Sequence, residues 1–101
     1  MPTWDKTQQF LDDYAKLGED EKAAFLDALQ RPDGFVVGAR NQRQFHPHLR
    51  VKPMREFHGV WEMTWEKADG RATFEYGPEK TPGDPHIVWR RIGGHDIFGN
   101  A

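Results

Sequence analysis

The first thirty residues of the chain carry apolar side chains at the spacing of two α-helices. The first series begins after Thr3, a residue type that caps helices, and stops at Gly18; its apolar positions are Trp4, Phe10, Leu11, Tyr14 and Leu17. The second begins near Glu19 with acidic residues in its first turn and stops at Arg31-Pro32-Asp33-Gly34; its apolar positions are Ala23, Phe25, Leu26 and Leu29. The pattern predicts a helical hairpin over about residues 4–30.

A polar stretch over residues 31–48 follows and is predicted to be a loop, and from residue 49 the period changes to two. Leu49 to Lys52 is a candidate short strand. Gly59 to Glu66 alternates, with Trp61, Met63 and Trp65 on one face. Ala68-Asp69-Gly70 is a hairpin-turn signal, and Arg71 to Tyr76 is the return strand, whose Ala72, Phe74 and Tyr76 would join the same core face.

The end of the sheet is predicted from composition and hydropathy. The segment 77–85 holds three prolines and two glycines and is predicted to be a surface loop, whereas His86 to Ile92 is the most apolar strand candidate and is expected to be central. Residues 93–101 form a tail. The whole chain, 1–101, is predicted to be one α+β domain with its helical hairpin packed on one face of a small antiparallel sheet spanning 49–92.

Composition narrows the class of protein. A length of 101 residues suits a single domain, and the 37% apolar content with four tryptophans and seven phenylalanines allows a compact core. The absence of cysteine excludes a disulfide framework, a thiolate nucleophile and a cysteine-type zinc site. No signal peptide or membrane span is apparent, so we expect a cytoplasmic protein without a membrane partner.

The net charge of -2 is unevenly distributed along the chain. Residues 1–38 contain four Lys/Arg and eight Asp/Glu, whereas residues 39–101 contain ten and eight, together with all five histidines. The second part is therefore mildly basic, which is a weak electrostatic sign of nucleic-acid binding.

The order of elements and the end of the chain resemble the RelE/ParE superfamily of toxins. Arg91-Ile92-Gly93-Gly94-His95-Asp96-Ile97-Phe98 is similar to the ending of YafQ-type members, in which a strand arginine, a glycine, a histidine and an aromatic residue close the active site. Gly59-Val60-Trp61 and the segment from Asp69 to Tyr76 resemble the "G-x-W" and "R-x-x-Y" strands of the family.

This resemblance implies an mRNA interferase of a type II toxin-antitoxin system. Such a toxin is an endoribonuclease that inhibits translation by cleaving mRNA, in this case expected in the ribosomal A site, and a cognate antitoxin neutralises it. The ribose 2′-hydroxyl would serve as the nucleophile, so neither a cofactor nor a metal is expected.

Three departures from the family pattern bear on this prediction. Members commonly open with a β-strand, for which only Met1 to Trp4 remain, so that strand is expected to be absent or vestigial. Family lysines are replaced by Glu62 and Thr64, and the usual terminal tyrosine is Phe98, which cannot transfer a proton.

Candidate catalytic residues follow from the resemblance and from side-chain chemistry. His95 can act as base or acid because imidazole titrates near neutral pH, although it could instead cap the strand end. Arg71 and Arg91 are expected to face away from the helices and to hold the scissile phosphate; the alternative is salt bridges to Glu62 or Glu75. Arg90, on the opposite face by strict alternation, is expected to pair with a helix carboxylate.

Each of the remaining site predictions has a structural alternative. Glu62 is a candidate general base or a solvated strand residue, and Phe98 and Trp89 either stack on RNA bases or belong to the core. Arg50, Lys52 and Arg55 are predicted to contact RNA phosphates at the rim or to form a merely solvated basic edge.

Two further interpretations stay open. A metal site is suggested by the imidazole groups in His46-Pro47-His48 and by His58. Without a carboxylate at a fixed spacing, these histidines are insufficient evidence for such a site. For the whole chain, the alternatives to a nuclease are a non-catalytic ParE-like or degenerate member that acts as a protein-binding module, and an unrelated α+β regulatory protein.

Overall fold

A computed structural model describes residues 3–40, 44–65 and 70–94. In these ranges a five-stranded sheet has the order β1-β5-β4-β3-β2, and the helices pack on one of its faces. The strands are β1 Thr3–Lys6, β2 Lys52–Pro53, β3 Trp61–Thr64, β4 Arg71–Thr81 and β5 Asp84–Gly93. The helices are α1 Gln8–Ala15, α2 Glu19–Gln30 and α3 Phe35–Arg40, with a 3-10 turn at Pro47–Leu49.

Strand β1 runs parallel to β5 and the other pairs are antiparallel, so the sheet is mixed. The expectation of a purely antiparallel sheet is wrong.

The prediction for the first helix is wrong at its start. Thr3–Lys6 is the strand β1, paired with His86 to Trp89, and the helix begins only after Thr7. Thr7 is the N-cap: its side-chain oxygen accepts a hydrogen bond from the Phe10 N–H at 3.1 Å. A four-residue strand cannot be recognised from periodicity when its Trp4 also fits the helical series, and pairing with the edge of β5 decides its conformation.

Helix α2 is confirmed at Glu19–Gln30. The Glu21 carboxylate accepts a hydrogen bond from the Gly18 N–H at 2.9 Å, and three acidic residues in the first turn complement the helix dipole. The helix ends at Gln30 because the next residue, Arg31, precedes Pro32, and a residue before proline disfavours the helical conformation.

Trp89 lies at the centre of the core. It is 3% exposed, and its ring lies 5.1–5.5 Å from the rings of Phe25, Phe35 and Phe74. One aromatic residue from α2, one from α3 and one from β4 therefore meet on a single strand residue of β5, which fixes the helices against the sheet.

The central hairpin is confirmed, with Trp61 opposite Phe74 and Met63 opposite Ala72. Its turn at 66–69 lies outside the described residues. The predicted loop over 77–85 is wrong: β4 continues to Thr81 and β5 starts at Asp84, joined by a tight turn in which Gly83 has φ +92°. Proline followed by a glycine of positive φ suits this turn, so Pro82 and Gly83 mark one turn rather than a long loop.

The predicted loop over 31–48 contains one helix. Helix α3 packs closely against the segment that follows it, since a Cβ on Gly38 would lie 2.6 Å from the Phe45 ring. Leu49, expected to start a strand, ends the 3-10 turn and is fully buried in the core.

Candidate active site

The face of the sheet opposite the helices carries the polar residues that the sequence singled out, and we call it the open face. Lys52, Glu62, Thr73 and Arg91 oppose one another in register across β2, β3, β4 and β5. Directly opposed residues of paired strands project to the same face. These four residues therefore form one row, which we call the polar row, and the next row consists of Thr64, Arg71 and Gly93.

Glu62 and Lys52 form the best-defined part of the polar row. The Lys52 Nζ lies 3.5 Å from Glu62 Oε1, and the Glu62 side chain is 14% exposed. Both residues line a groove of about 500 Å³ together with Arg55. Of the predicted rim residues, Lys52 and Arg55 thus share a groove with Glu62, whereas Arg50 lines a separate pocket beside Trp61 and Tyr76.

Thr73 lies in the middle of the polar row and is fully buried. Its Oγ1 has no hydrogen-bond partner within the described ranges. A buried hydroxyl without a partner costs about 1–3 kcal/mol, so an acceptor or donor supplied from outside would stabilise this position.

Arg71 is half-buried at the start of β4. Its Nη1 donates to the Gly70 carbonyl at 3.0 Å, and its own backbone carbonyl accepts a hydrogen bond from Trp65 Nε1 at 2.9 Å. Opposite it, Gly93 has no side chain to cover the guanidinium group. The expected orientation of Arg71 on the open face is confirmed.

Arg91 starts from the open face, but its guanidinium group reaches α1. Its Nε and Nη2 donate to the two carboxylate oxygens of Asp13 at 2.6 and 3.1 Å, and the Ile92 N–H donates to the same carboxylate at 3.2 Å. The side chains of Arg91 and Asp13 are 16% and 9% exposed. We call this group the edge cluster, because Asp13 occupies the edge of β5 beyond the end of β1.

The structure contradicts the expectation for Arg90 and adds an unexpected partner to Arg91. Arg91, not Arg90, pairs with a helix carboxylate, and the Arg90 guanidinium lies 3.2 Å from Glu75 of the neighbouring strand. A β-bulge accounts for the outcome at Arg90: Thr73 opposes Arg91 while Phe74 opposes Trp89, so Arg90 is the extra residue and Arg91 keeps its expected place on the open face. A bulge breaks the strict alternation on which the sequence argument relied.

Three further site predictions have different outcomes. Trp89 is a core residue, which confirms the second of its two interpretations and argues against a role in stacking on RNA bases. His95 and Phe98 lie outside the described residues, and their predicted roles stay predictions.

A second polar group, the loop cluster, lies between the turn after α2 and the segment before the 3-10 turn. It consists of Arg31, Asp33, His46 and His48. The Asp33 carboxylate lies 3.8 Å from His48 Nδ1, 4.0 Å from His46 Nε2 and 3.3 Å from Arg31 Nε, and Arg31 also pairs with His48 Nε2. The sequence offered no carboxylate at a fixed spacing from the two histidines, but the fold brings Asp33 to them from the turn after α2.

The electrostatics of the loop cluster act most clearly on His48. Burial lowers the pKa of His48 below the ordinary histidine value, and the neighbouring Arg31 and His46 lower this pKa further, while Asp33 acts in the opposite direction. The surroundings of His48 therefore oppose, on balance, the protonation of its ring.

Sequence reasoning missed a buried histidine that joins β1 to β5. His86 is 3% exposed, and its two ring nitrogens lie 2.6 Å from Thr3 Oγ1 and 3.0 Å from Asp5 Oδ2. These contacts fix β1 in its parallel register. No sequence signal indicated them, because β1 itself was not recognised.

Comparison with known proteins supports the fold. No family profile and no curated protein matches this sequence. The chain is similar to a solved YoeB/ParE toxin from Agrobacterium tumefaciens, with a TM-score of 0.61 and 12% identity over 92% of this chain and 98% of that one. The resemblance to RelE/ParE-like toxins is confirmed at the level of the fold, while a YafQ-like subtype stays a prediction. Within the described ranges, no helix is both long and apolar enough to cross a membrane.

Proposed function

From the RelE/ParE-like toxin fold and the open face of its sheet, we propose that this chain is a metal-independent endoribonuclease toxin. It cleaves mRNA in the cytoplasm, on the ribosome, with the ribose 2′-hydroxyl as the nucleophile, and a cognate antitoxin neutralises it. The observation that carries the proposal is that the polar row and Arg71 share one face of the sheet, in the strands that pair with the end of β5, two positions before His95 in the sequence.

Proton transfer is assigned to His95. This residue follows Gly93 by two positions in the sequence, and Gly93 is paired with Arg71. An imidazole with an ordinary pKa exchanges protons efficiently near neutral pH. Glu62 is a second candidate base, since it lines the groove of about 500 Å³ that also contains Lys52 and Arg55.

Positive charge around the scissile phosphate is assigned mainly to Arg71. A guanidinium group donates two parallel hydrogen bonds to a phosphate and stabilises the extra charge that develops in the transition state. Arg91 is already bound by Asp13, so we assign it a smaller share of the phosphate charge. Lys52, Arg55 and Arg50 contact flanking phosphates, and Phe98 stacks on a base.

Inducible expression with mapping of cellular RNA 5′ ends tests this proposal. We expect growth arrest and new 5′ ends with the wild type, and a loss of cleavage of about 100-fold or more with His95→Ala and with Arg71→Gln. Arg40→Gln, an exposed arginine of α3, is the charge-matched control and should cleave normally. Cleavage that survives His95→Ala would remove that residue from the mechanism, and a wild type that leaves cellular RNA intact would end the nuclease proposal.

One observation favours a second function, a non-catalytic member that binds protein. Leu11 and Leu26 are 45% and 43% exposed and line an apolar groove of about 400 Å³ between α1 and α2. Exposed leucines beside a groove are typical of a protein-binding surface. If this is the whole function, co-expression with the antitoxin should give a stable complex while the RNA remains uncut.

A further inference from the structure

We propose that Asp33, His46 and His48 of the loop cluster bind one divalent late transition-metal ion such as Zn²⁺. Imidazole nitrogens and a carboxylate oxygen are the ligands that zinc prefers when cysteine is absent. The site goes beyond the proposed function and does not depend on it, because none of its residues belongs to the polar row.

The distances among the three donor groups fit this assignment. Their potential ligand atoms lie within 4.8 Å of one another, and the Asp33 carboxylate is 3.8 and 4.0 Å from the two ring nitrogens that face it. In a tetrahedral zinc site with bonds of about 2.0–2.1 Å, ligand atoms are about 3.3 Å apart. The two Asp33 contacts therefore need to close by less than about 1 Å, and the two ring nitrogens by at most about 1.5 Å, to assemble the site.

The backbone already brings the donors together. His46 and His48 flank Pro47 at the start of the 3-10 turn, and their ring centroids are 4.1 Å apart. Asp33 belongs to the turn between α2 and α3. Since the Phe45 ring packs at 4.9 Å on the Phe35 ring, the segments that carry the ligands are attached to the core on both sides. All three ligands remain exposed, so an ion and a completing water can reach them.

Arg31 competes with the metal for this site. Its guanidinium contacts Asp33 and pairs with His48 Nε2. When His48 Nδ1 binds an ion, the ring proton resides on Nε2 and meets the Arg31 donors, so the guanidinium must withdraw. Asp27, 3.4 Å away, remains as its partner. The weak hydrogen bond from the His48 N–H to His46 Nδ1, at 3.3 Å, is likewise lost when His46 binds through Nε2.

Titration calorimetry of the full-length, tag-free protein with ZnCl₂ tests the site. We expect one Zn²⁺ per chain, and a melting temperature that rises with zinc and returns to its starting value on addition of EDTA. His48→Gln and Asp33→Asn should each weaken binding about tenfold or more. Arg31→Gln should tighten binding about fivefold, because it removes a like charge near the ion.

His58→Gln is the matched control, since it removes an exposed histidine outside the cluster, and it should bind zinc as the wild type does. If His48→Gln does not fold by circular dichroism, Asp33→Asn decides the result. Absence of zinc binding by the wild type, or wild-type affinity in both ligand variants, would overturn the proposal. An unchanged or weaker zinc affinity in Arg31→Gln would overturn the proposed site, in which Arg31 competes with the metal.

Discussion

The edge cluster and the loop cluster both join a carboxylate to an arginine, yet they differ in burial. The Asp13 and Arg91 side chains of the edge cluster are 9% and 16% exposed, and the carboxylate also accepts the Ile92 N–H. In the loop cluster, Asp33 and Arg31 are 50% and 30% exposed, and both histidines are more than one third exposed.

This difference predicts different roles for the same pair of residue types. In a charge pair withdrawn from water, each partner is needed for stability, because removal of one leaves the charge of the other in a poorly solvated position. An exposed pair contributes little to stability, since water and salt screen it. The edge cluster therefore maintains the fold, while the loop cluster is free to serve binding.

The largest effect is expected from Asp13→Asn. This change keeps the shape of the side chain but removes the negative charge from the half-buried Arg91, and the free energy of unfolding should fall by about 3 kcal/mol. Urea denaturation measures this difference. Asp12→Asn, one position earlier on the exposed side of α1, is the control and should lose less than about 0.5 kcal/mol. Equal losses in the two variants would remove the distinction between buried and exposed charge.

A smaller effect at the same edge is expected from Thr7→Ala. The Thr7 hydroxyl accepts the Phe10 N–H and donates to the Arg90 carbonyl at 2.8 Å, so it caps α1 and attaches it to β5. Its loss should reduce the free energy of unfolding by about 1 kcal/mol in the same denaturation experiment. Thr7→Ser retains the hydroxyl and should recover most of the loss; a serine variant as unstable as the alanine variant would contradict the capping role.

The smallest effect on stability is expected from Asp33→Asn in metal-free buffer. Although this carboxylate has three charged or titratable neighbours, the change should alter the free energy of unfolding by less than about 1 kcal/mol. The same variant should lose zinc affinity, so stability and binding separate in one protein. A loss comparable with that of Asp13→Asn would mean that the loop cluster is structural.

Elements with a strong local pattern were predictable from the sequence. The hairpin of β3 and β4 followed from strict alternation around Trp61 and Met63, and α2 followed from its acidic first turn and the Arg31-Pro32 stop. Glu62 and Arg71 could be assigned to one face because alternation holds throughout that hairpin. The bulge at Arg90 carries no such signal, and for this reason the expected pairing of Arg90 with a helix carboxylate was wrong.

The sequence by itself determined the α+β class, the helical segment of α2 and the face of the central hairpin, because these depend on periodicity within a few residues. Only the tertiary structure decided that Thr3–Lys6 is a strand, that Asp13 binds Arg91 and that Asp33 meets His46 and His48. Each of these depends on partners far apart along the chain, whose contact is created by packing around Trp89 and not by any local preference.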